Sequence, residues 1–263
     1  MSFHLIKSNA ARIPMAEKSV DLVVGSPPYL DARLYLEDGV DLGISRRCRE
    51  WIDWMLVVTE EALRVSRGLV VWVVAGKTED WTYQPGPEGL LYEWWKRGGS
   101  AFRPCYWHRV GIPGSGGEQW YRADVEYVLA FKRPGRLPYG NPTANGHPPK
   151  WAPGGEMSHR TTDGRRRTNR GANGELKDQF YVPPPLANPG NVLKTTVGGG
   201  QLGSPVAHEN EAPYPIEVPK FFIASHCPPG GTVLDPFSGS GSTGHAAIDP
   251  GRNYIGSDLR MSQ

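Results

Sequence analysis

The sequence of 263 residues has few cysteines, little net charge and no long apolar run. Its three cysteines, Cys48, Cys105 and Cys227, form no CxxC pair, and its seven histidines show no metal-ligand spacing, so we predict neither disulfides nor a metal site. The net charge of +2 does not by itself indicate a nucleic-acid partner. No apolar run approaches the roughly 20 residues of a membrane span, and the first residues lack a signal-peptide core. These absences predict a cytoplasmic protein.

Apolar segments and amphipathic segments alternate along the chain. Between the strands, residues 49–66 repeat apolar side chains at helical spacing, and residues 89–97 and 218–227 predict shorter helices. The alternation predicts an α/β fold with a mostly parallel central sheet. Five apolar runs are predicted as its buried parallel strands: 20–25, 68–76, 125–132, 232–237 and 253–259.

The middle of the chain has a different composition. Residues 134–190 contain 10 prolines and 9 glycines in 57 residues, which does not sustain regular secondary structure. We therefore predict one domain made of residues 1–133 and 190–263, with residues 134–189 as an irregular insertion.

Two prolines interrupt the sequence VVGSPPYL at residues 23–30. Proline has no backbone N–H for a sheet and fixes its own φ, so the strand has to end here. A rigid Ser26-Pro27-Pro28-Tyr29 segment at the end of a strand is suited to holding a flat chemical group in one orientation.

A second motif, TVLDPFSGSGSTGHAA, covers residues 232–247 and reads as a strand, a glycine-rich turn and a helix. Gly239, Gly241 and Gly244 spell GxGxxG, and Asp258 follows 19 residues after Gly239. Alone, this spacing matches a dinucleotide-binding loop, in which the later acid binds a ribose. Asp235 directly before the loop would repel a pyrophosphate and attract a cationic ligand such as S-adenosylmethionine.

Taken together, SPPY at 26–29, DPFSGSGSTG at 235–244 and YIGSD at 254–258 resemble the S-adenosylmethionine-dependent DNA amino-methyltransferases. The order, with SPPY before the cofactor loop, is similar to the permuted beta class of that family. The resemblance covers most of residues 1–133 and 190–263, although Asn9 stands where the family usually has Asp. It implies a circularly permuted Rossmann-like methyltransferase fold and methylation of cytosine N4 or adenine N6 in DNA. The prevalence of SPPY among cytosine enzymes favours N4.

The resemblance also implies roles for individual residues. The Ser26 side chain and the Pro27 carbonyl would accept the N–H groups of the target amino group. Pro28 would help to stiffen the loop, and Tyr29 would stack on a base flipped out of the duplex. The implied cofactor-binding residues are Asp235, Pro236, Phe237, Gly239, Ser240, Gly241, Thr243 and Asp258, with Asn191, His208 and Pro213 from the segment before the glycine loop.

The insertion occupies the place of the family's target-recognition region. Its segment SHRTTDGRRRTNRG, residues 158–171, has one acid, and we expect its arginines to contact DNA phosphates. These arginines are Arg160, Arg165, Arg166, Arg167 and Arg170. The resemblance further implies a prokaryotic or phage-encoded monomer or homodimer, which could be accompanied by a cognate restriction endonuclease.

Other readings stay open at this point. An RNA or protein-glutamine methyltransferase uses a related motif, but usually with the glycine loop first. An NAD-dependent dehydrogenase explains GxGxxG but not SPPY, and a nucleic-acid-binding module without catalysis does not explain why Asp235, Asp258, Ser26 and Tyr29 are all present. Glu126 and Tyr127, on a predicted strand, are further candidates for a position near the target base.

Overall fold

The computed structural model describes most of the chain. The described residues are 2–30, 48–111, 117–119, 121–150, 173, 182–196 and 215–259, together with the backbone of four two-residue strands at 36–37, 40–41, 159–160 and 166–167. Contacts divide the chain into two compact units, one made of residues 1–141 and 190–263 and the other of residues 142–189. No helix among the described residues is long and apolar enough to cross a bilayer.

The first unit is built on a nine-stranded sheet. Its strands are β1 (Phe3–Lys7), β2 (Leu22–Gly25), β5 (Val70–Val74), β8 (Ser100–Ala101), β9 (Cys105–Val110), β10 (Val125–Lys132), β13 (Val192–Thr196), β14 (Thr232–Asp235) and β15 (Asn253–Asp258). The order is β1-β15-β14-β2-β5-β10-β9-β13, and β8 also pairs with β10. The pairs from β1 to β5 are parallel, which confirms the predicted α/β fold with a mostly parallel sheet.

One predicted strand direction was wrong. Strand β10 has the predicted bounds, but it runs antiparallel to both β5 and β9. An apolar run indicates burial on both faces and carries no information about direction. The connection from β9 to β10 contains no helix among its described residues, and a parallel pairing would need such a crossover.

Helices cover both faces of the sheet. α1 (Cys48–Val65) and α2 (Gly86–Lys96) contribute to one core with the sheet, while α3 (Glu217–His226) and α4 (Ser242–Ile248) contribute to a second core. Strand β5 divides its side chains between them, since Trp72 packs in the first core and Val73 in the second. The three predicted helices therefore form close to their predicted bounds, and burial on both faces explains the continuous apolar runs of β2 and β5.

The remaining strands form three two-stranded pairs. They are β3 (Leu36–Glu37) with β4 (Val40–Asp41), β6 (Lys77–Glu79) with β7 (Thr82–Gln84), and β11 (His159–Arg160) with β12 (Arg166–Arg167). The hairpin of β6 and β7 follows directly after β5, and β11 and β12 belong to the second unit.

Candidate active site

The Ser26-Pro27-Pro28-Tyr29 loop begins where β2 ends, and two other elements hold it. The Ser26 hydroxyl donates to the Val73 carbonyl of β5 at 3.3 Å. The Trp51 indole N–H of α1 donates to the Pro28 carbonyl at 2.8 Å. Trp51 is completely buried, so the loop is fastened to the core of the fold and not only to its own strand.

The Tyr29 hydroxyl contacts one member of a charged pair, Glu126 and Arg109, from the antiparallel part of the sheet. It donates to Oε2 of Glu126 on β10 at 2.5 Å. Oε1 of the same carboxylate pairs with Arg109 on β9 at 2.9 Å. Glu126 is only 5% exposed, and burial and then the Glu126 charge raise the pKa of Tyr29 well above its ordinary value. The Tyr29 hydroxyl therefore stays protonated, and its hydrogen bond to Glu126 holds the ring in place.

The buried Glu126 and the partly exposed Arg109 form an ion pair that the sequence did not predict. Glu126 was a candidate only for proximity to the base, and Arg109 was not considered. One signal was available. In VEYVLAFK, Glu126 alternates with Val128 and Ala130, which face the second core, so an acid occupies a buried position of the strand. Such a position requires a partner.

The glycine loop connects β14 to α4 around the carboxylate of Asp235. This carboxylate is 1% exposed and accepts hydrogen bonds from the Phe237 amide at 2.9 Å and the Thr243 hydroxyl at 2.5 Å. Gly241 precedes α4 with φ at +78°, a left-handed conformation that favours glycine. Asp235 thus organises the loop, and its predicted attraction for a cationic ligand stays a prediction.

The other residues around the loop fit S-adenosylmethionine. Asp258 lies at the carboxyl end of β15 beside the loop, where its Oδ2 accepts the Gly239 amide at 3.0 Å. The Phe237 ring lies edge-on to Trp54 and Trp72, with ring centroids 5.9 and 5.7 Å away. A carboxylate suited to a ribose diol, an aromatic ring and a left-handed loop at a helix start therefore occur together.

Gly25 brings the two motifs into contact. A Cβ atom at this position would lie 2.7 Å from Oδ1 of Asp235 and 3.4 Å from the Phe237 ring. β2 and β14 are parallel neighbours, so both loops leave the same edge of the sheet. The absence of a side chain at residue 25 lets the end of β2 lie against the Asp235 carboxylate at the end of β14, so the Ser26–Tyr29 loop and the glycine loop start side by side.

The remaining predicted site residues are either distant from the glycine loop or outside the described residues. Asn191 precedes β13 and donates to the Pro104 carbonyl at 2.8 Å. Four strands separate β13 from β14, which amounts to about 24 Å across the sheet, so the structure does not bring Asn191 to the glycine loop. His208 and Pro213 lie outside the described residues, as do Arg165 and Arg170, and of Arg160, Arg166 and Arg167 only the backbone is described.

Two proteins of known sequence that are similar to this chain are both named as methyltransferases. The orphan methyltransferase M.BamHII of Bacillus amyloliquefaciens is 26% identical over 245 residues, covering 92% of this chain and 84% of the relative. The type II methyltransferase M.MjaI of Methanocaldococcus jannaschii is 28% identical over 139 residues, covering 53% and 36% of the two chains.

Solved structures share the fold. PvuII DNA methyltransferase (cytosine-N4-specific) superposes with a TM-score of 0.68 at 17% identity, covering 99% of this chain and 83% of that one. A putative DNA modification methylase from Thermus thermophilus, complexed with S-adenosyl-L-methionine, gives a TM-score of 0.57 at 21% identity, covering 99% and 90%. At the level of sequence, residues 20–263 match the family described as DNA methylase, a span that includes both loops. The chain therefore belongs to the DNA methylase family.

Proposed function

We propose that this protein transfers a methyl group from S-adenosylmethionine to an exocyclic amino nitrogen of a DNA base, with N4 of cytosine as the favoured target. The observation that carries the proposal is that the Ser26–Tyr29 loop and the glycine loop leave neighbouring parallel strands at the same edge of the sheet, where Gly25 lies against Asp235. S-adenosylmethionine supplies an electrophilic methyl group. The order of the two motifs supports assignment to the permuted beta class.

Ser26 is oriented to accept a hydrogen bond. An amino group on a base is a poor nucleophile because its lone pair is delocalised into the ring. The single proton of the Ser26 hydroxyl has two acceptors, the Val73 carbonyl at 3.3 Å and the Tyr29 hydroxyl oxygen at 3.5 Å, and with either one the Ser26 oxygen lone pairs can accept an N–H from the base. Together with the Pro27 carbonyl, it would draw the nitrogen toward tetrahedral geometry. Attack of the nitrogen on the methyl carbon would break the carbon–sulfur bond, whose electron pair would stay on the sulfur as a neutral thioether, and the nitrogen would release one proton to solvent.

Tyr29 provides a fixed ring for the target base. The Tyr29 hydroxyl is hydrogen-bonded to Glu126, and Glu126 is itself held by its ion pair with Arg109. These contacts restrict the Tyr29 ring before any base arrives, which lowers the entropic cost of stacking. A base inside a duplex cannot reach these groups, so the target nucleotide has to be flipped out. The Ser at the start of the motif favours cytosine, and adenine N6 is the second candidate, since both amino groups need the same acceptors.

The second unit is the proposed DNA-contact region. The ladder between β11 and β12 aligns Arg160 with Arg166, and His159 with Arg167. Like charges at opposing positions of a ladder are unfavourable in the absence of an anion. This register supports phosphate contact by the arginine cluster. A monomeric or homodimeric state, a cytoplasmic location and a cognate restriction endonuclease stay predictions.

Mass spectrometry of methylated DNA tests the proposal. The pure protein is incubated with unmethylated DNA and S-adenosylmethionine, and the DNA is then digested to nucleosides. We expect N4-methylcytosine. N6-methyladenine would agree with the same mechanism but would identify adenine, and not cytosine, as the target base. If no methylated base forms although the cofactor binds, DNA amino methylation by this protein alone is contradicted.

A pair of serine variants tests the role of the loop. Ser26→Ala should lower turnover by about 100-fold or more while leaving cofactor affinity unchanged. Ser19→Ala is the matched control, since Ser19 precedes β2 at the opposite edge of the sheet and its hydroxyl donates to the Ala16 carbonyl at 2.7 Å. Equal turnover of the two variants would exclude Ser26 from the reaction.

A further inference from the structure

The two prolines of the Ser26–Tyr29 loop leave one joint of the loop undetermined. Each proline ring fixes its own φ at about −65°. A residue that precedes proline is confined to extended backbone conformations, and this applies to Ser26 and to Pro27. Pro28 is followed by Tyr29 and not by a third proline, so the rings do not set the ψ torsion of Pro28. That torsion sets the plane of the Pro28–Tyr29 peptide bond, and with it the direction in which Tyr29 leaves the loop.

A buried tryptophan of α1 binds the chain at this joint. The Trp51 indole N–H donates to the Pro28 carbonyl at 2.8 Å, and the Trp51 side chain is completely buried. An indole has a single donor, and Trp51 gives it to the carbonyl of Pro28 and not to that of Pro27. The hydrogen bond therefore fixes the peptide plane that the proline rings leave free.

Packing against α2 fixes the Trp51 ring and the residue after Tyr29. A Cβ atom at Gly86, where α2 begins, would lie 3.3 Å from Cζ3 of Trp51 and 2.7 Å from Cδ1 of Leu30. Leu30 is 2% exposed. The backbone is thus anchored on both sides of Tyr29, at Pro28 by a hydrogen bond and at Leu30 by packing.

A different element holds the far end of the Tyr29 side chain. The Tyr29 hydroxyl donates to Glu126 on β10 at 2.5 Å, whereas Trp51 acts on the peptide bond before Tyr29. A ring that is fixed at its hydroxyl and at its backbone has little freedom left to lose when a base arrives. The two contacts are complementary, because neither one alone sets the orientation of the ring.

Helix α1 also contacts the glycine loop. Trp54 follows Trp51 by three residues, so the two side chains lie on neighbouring turns of one helix face. The centroid of the Trp54 ring is 5.9 Å from that of Phe237. One helix therefore supports both the loop proposed to hold the target amino group and a ring of the proposed cofactor site. The rate of a methyl transfer depends on the relative position of these two groups.

We propose that Trp51 is a positioning residue for methyl transfer, whose indole N–H locks the Pro28–Tyr29 peptide bond and so holds the Tyr29 ring in the orientation that the target base requires. The proposal rests on the proposed function, because it assigns a role in that reaction. Trp51 is completely buried and acts through the loop. Loss of its hydrogen bond should therefore lower the rate of methyl transfer and leave the affinity for S-adenosylmethionine unchanged.

The test removes the indole N–H and compares the effect with the same change elsewhere in the core. Trp51 is replaced in one protein by phenylalanine (Trp51→Phe) and in another by benzothienylalanine, in which a sulfur atom takes the place of the indole N–H. The same two replacements are made at Trp94 as the matched control. Trp94 packs in the same core, and its indole N–H donates to the Ser100 carbonyl at 3.0 Å. Ser100 lies on β8, which pairs with the end of β10 that is remote from Glu126.

Methyl transfer kinetics, calorimetry with S-adenosylmethionine and thermal unfolding give the readouts. Both replacements of Trp51 are expected to lower kcat by about 10-fold to 100-fold, the range for a small misplacement of reacting groups. The Kd for S-adenosylmethionine should match that of the wild type. Both replacements of Trp94 should leave kcat unchanged while lowering Tm by as much as those of Trp51, since each removes one indole–carbonyl hydrogen bond from the same core.

A benzothienylalanine protein with the kcat of the wild type would show that the Trp51 N–H is not needed and would overturn the proposal, also where Trp51→Phe does not fold. Equal losses of kcat at Trp51 and Trp94 would assign the effect to core damage and would overturn it as well. A loss of cofactor affinity as large as the loss of kcat would have the same meaning. If the wild-type protein methylates no amino group of DNA, the proposed function fails, and with it the basis of this inference.

Discussion

Replacement of Glu126 by Gln tests how the ring of Tyr29 is held. The substitution keeps the shape of the side chain but removes the charge that Tyr29 and Arg109 share. A hydrogen bond to a charged group contributes about 1.5 to 3 kcal/mol and one between neutral groups about 0.5 to 1.5 kcal/mol. The difference of about 1 to 2 kcal/mol, if expressed in the transition state, lowers kcat by about 5-fold to 30-fold.

The stability of the protein should fall by a similar and not a larger amount. Removing one partner of a fully buried ion pair costs about 3 to 5 kcal/mol. The Arg109 side chain is 26% exposed and can be solvated in part when its partner is lost, so we expect a smaller value. S-adenosylmethionine affinity should not change, because β2 and β5 separate Glu126 on β10 from β14, after which the glycine loop begins.

Methyl transfer kinetics on DNA provide the assay, with kcat and KM determined separately. Tyr29→Phe completes a double-mutant cycle with Glu126→Gln. If Glu126 acts through the hydroxyl of Tyr29, the double variant should lose little more than either single variant. Losses that simply add, or a Glu126→Gln protein with kcat within twofold of the wild type, would refute this reasoning.

Three further predictions concern other parts of the molecule. Gly25→Ala should weaken S-adenosylmethionine binding at least 10-fold in calorimetry, because its Cβ would lie 2.7 Å from the Asp235 carboxylate; an unchanged affinity contradicts the contact. Burial lowers the pKa of His226 from 6.5 to about 4, so the unfolded state takes up a proton first. Stability should thus fall by about 3 kcal/mol between pH 6.5 and 4, and His226→Leu should flatten this dependence in urea titrations. Replacing the five arginines of residues 158–171 by Gln should reduce the slope of log affinity for DNA against log salt, and an unaltered slope means no phosphate contact.

The sequence was sufficient for features that depend on local composition. The apolar run of β5 and the helical spacing of α1 identified those elements, because burial on two faces or on one stripe leaves a direct pattern. The same pattern could not give the direction of β10, since direction depends on how the chain returns to the sheet. Strands β1, β9 and β13 were missed because few or none of their residues are buried, so their sequences contain no continuous apolar run.

The candidate site was predictable where a motif is contiguous. Ser26 to Tyr29 and the glycine loop were found from their own residues, whereas Arg109 and Trp51 join the site through contacts across the sheet and from α1. Such contacts between distant residues leave no spacing to read. The Glu126 carboxylate was the exception, because an acid within an apolar strand indicates a buried partner even when that partner cannot be named.

The contact through Gly25 has a thermodynamic consequence for the order of binding. The ends of β2 and β14 lie against each other at Gly25 and Asp235, so a ligand that shifts one strand end is expected to act on the other. Coupling free energy is reciprocal: any factor by which S-adenosylmethionine raises the affinity for DNA must equal the factor by which DNA raises the affinity for S-adenosylmethionine. We therefore expect the two substrates to bind cooperatively, and we expect Gly25→Ala to change the strength of this coupling.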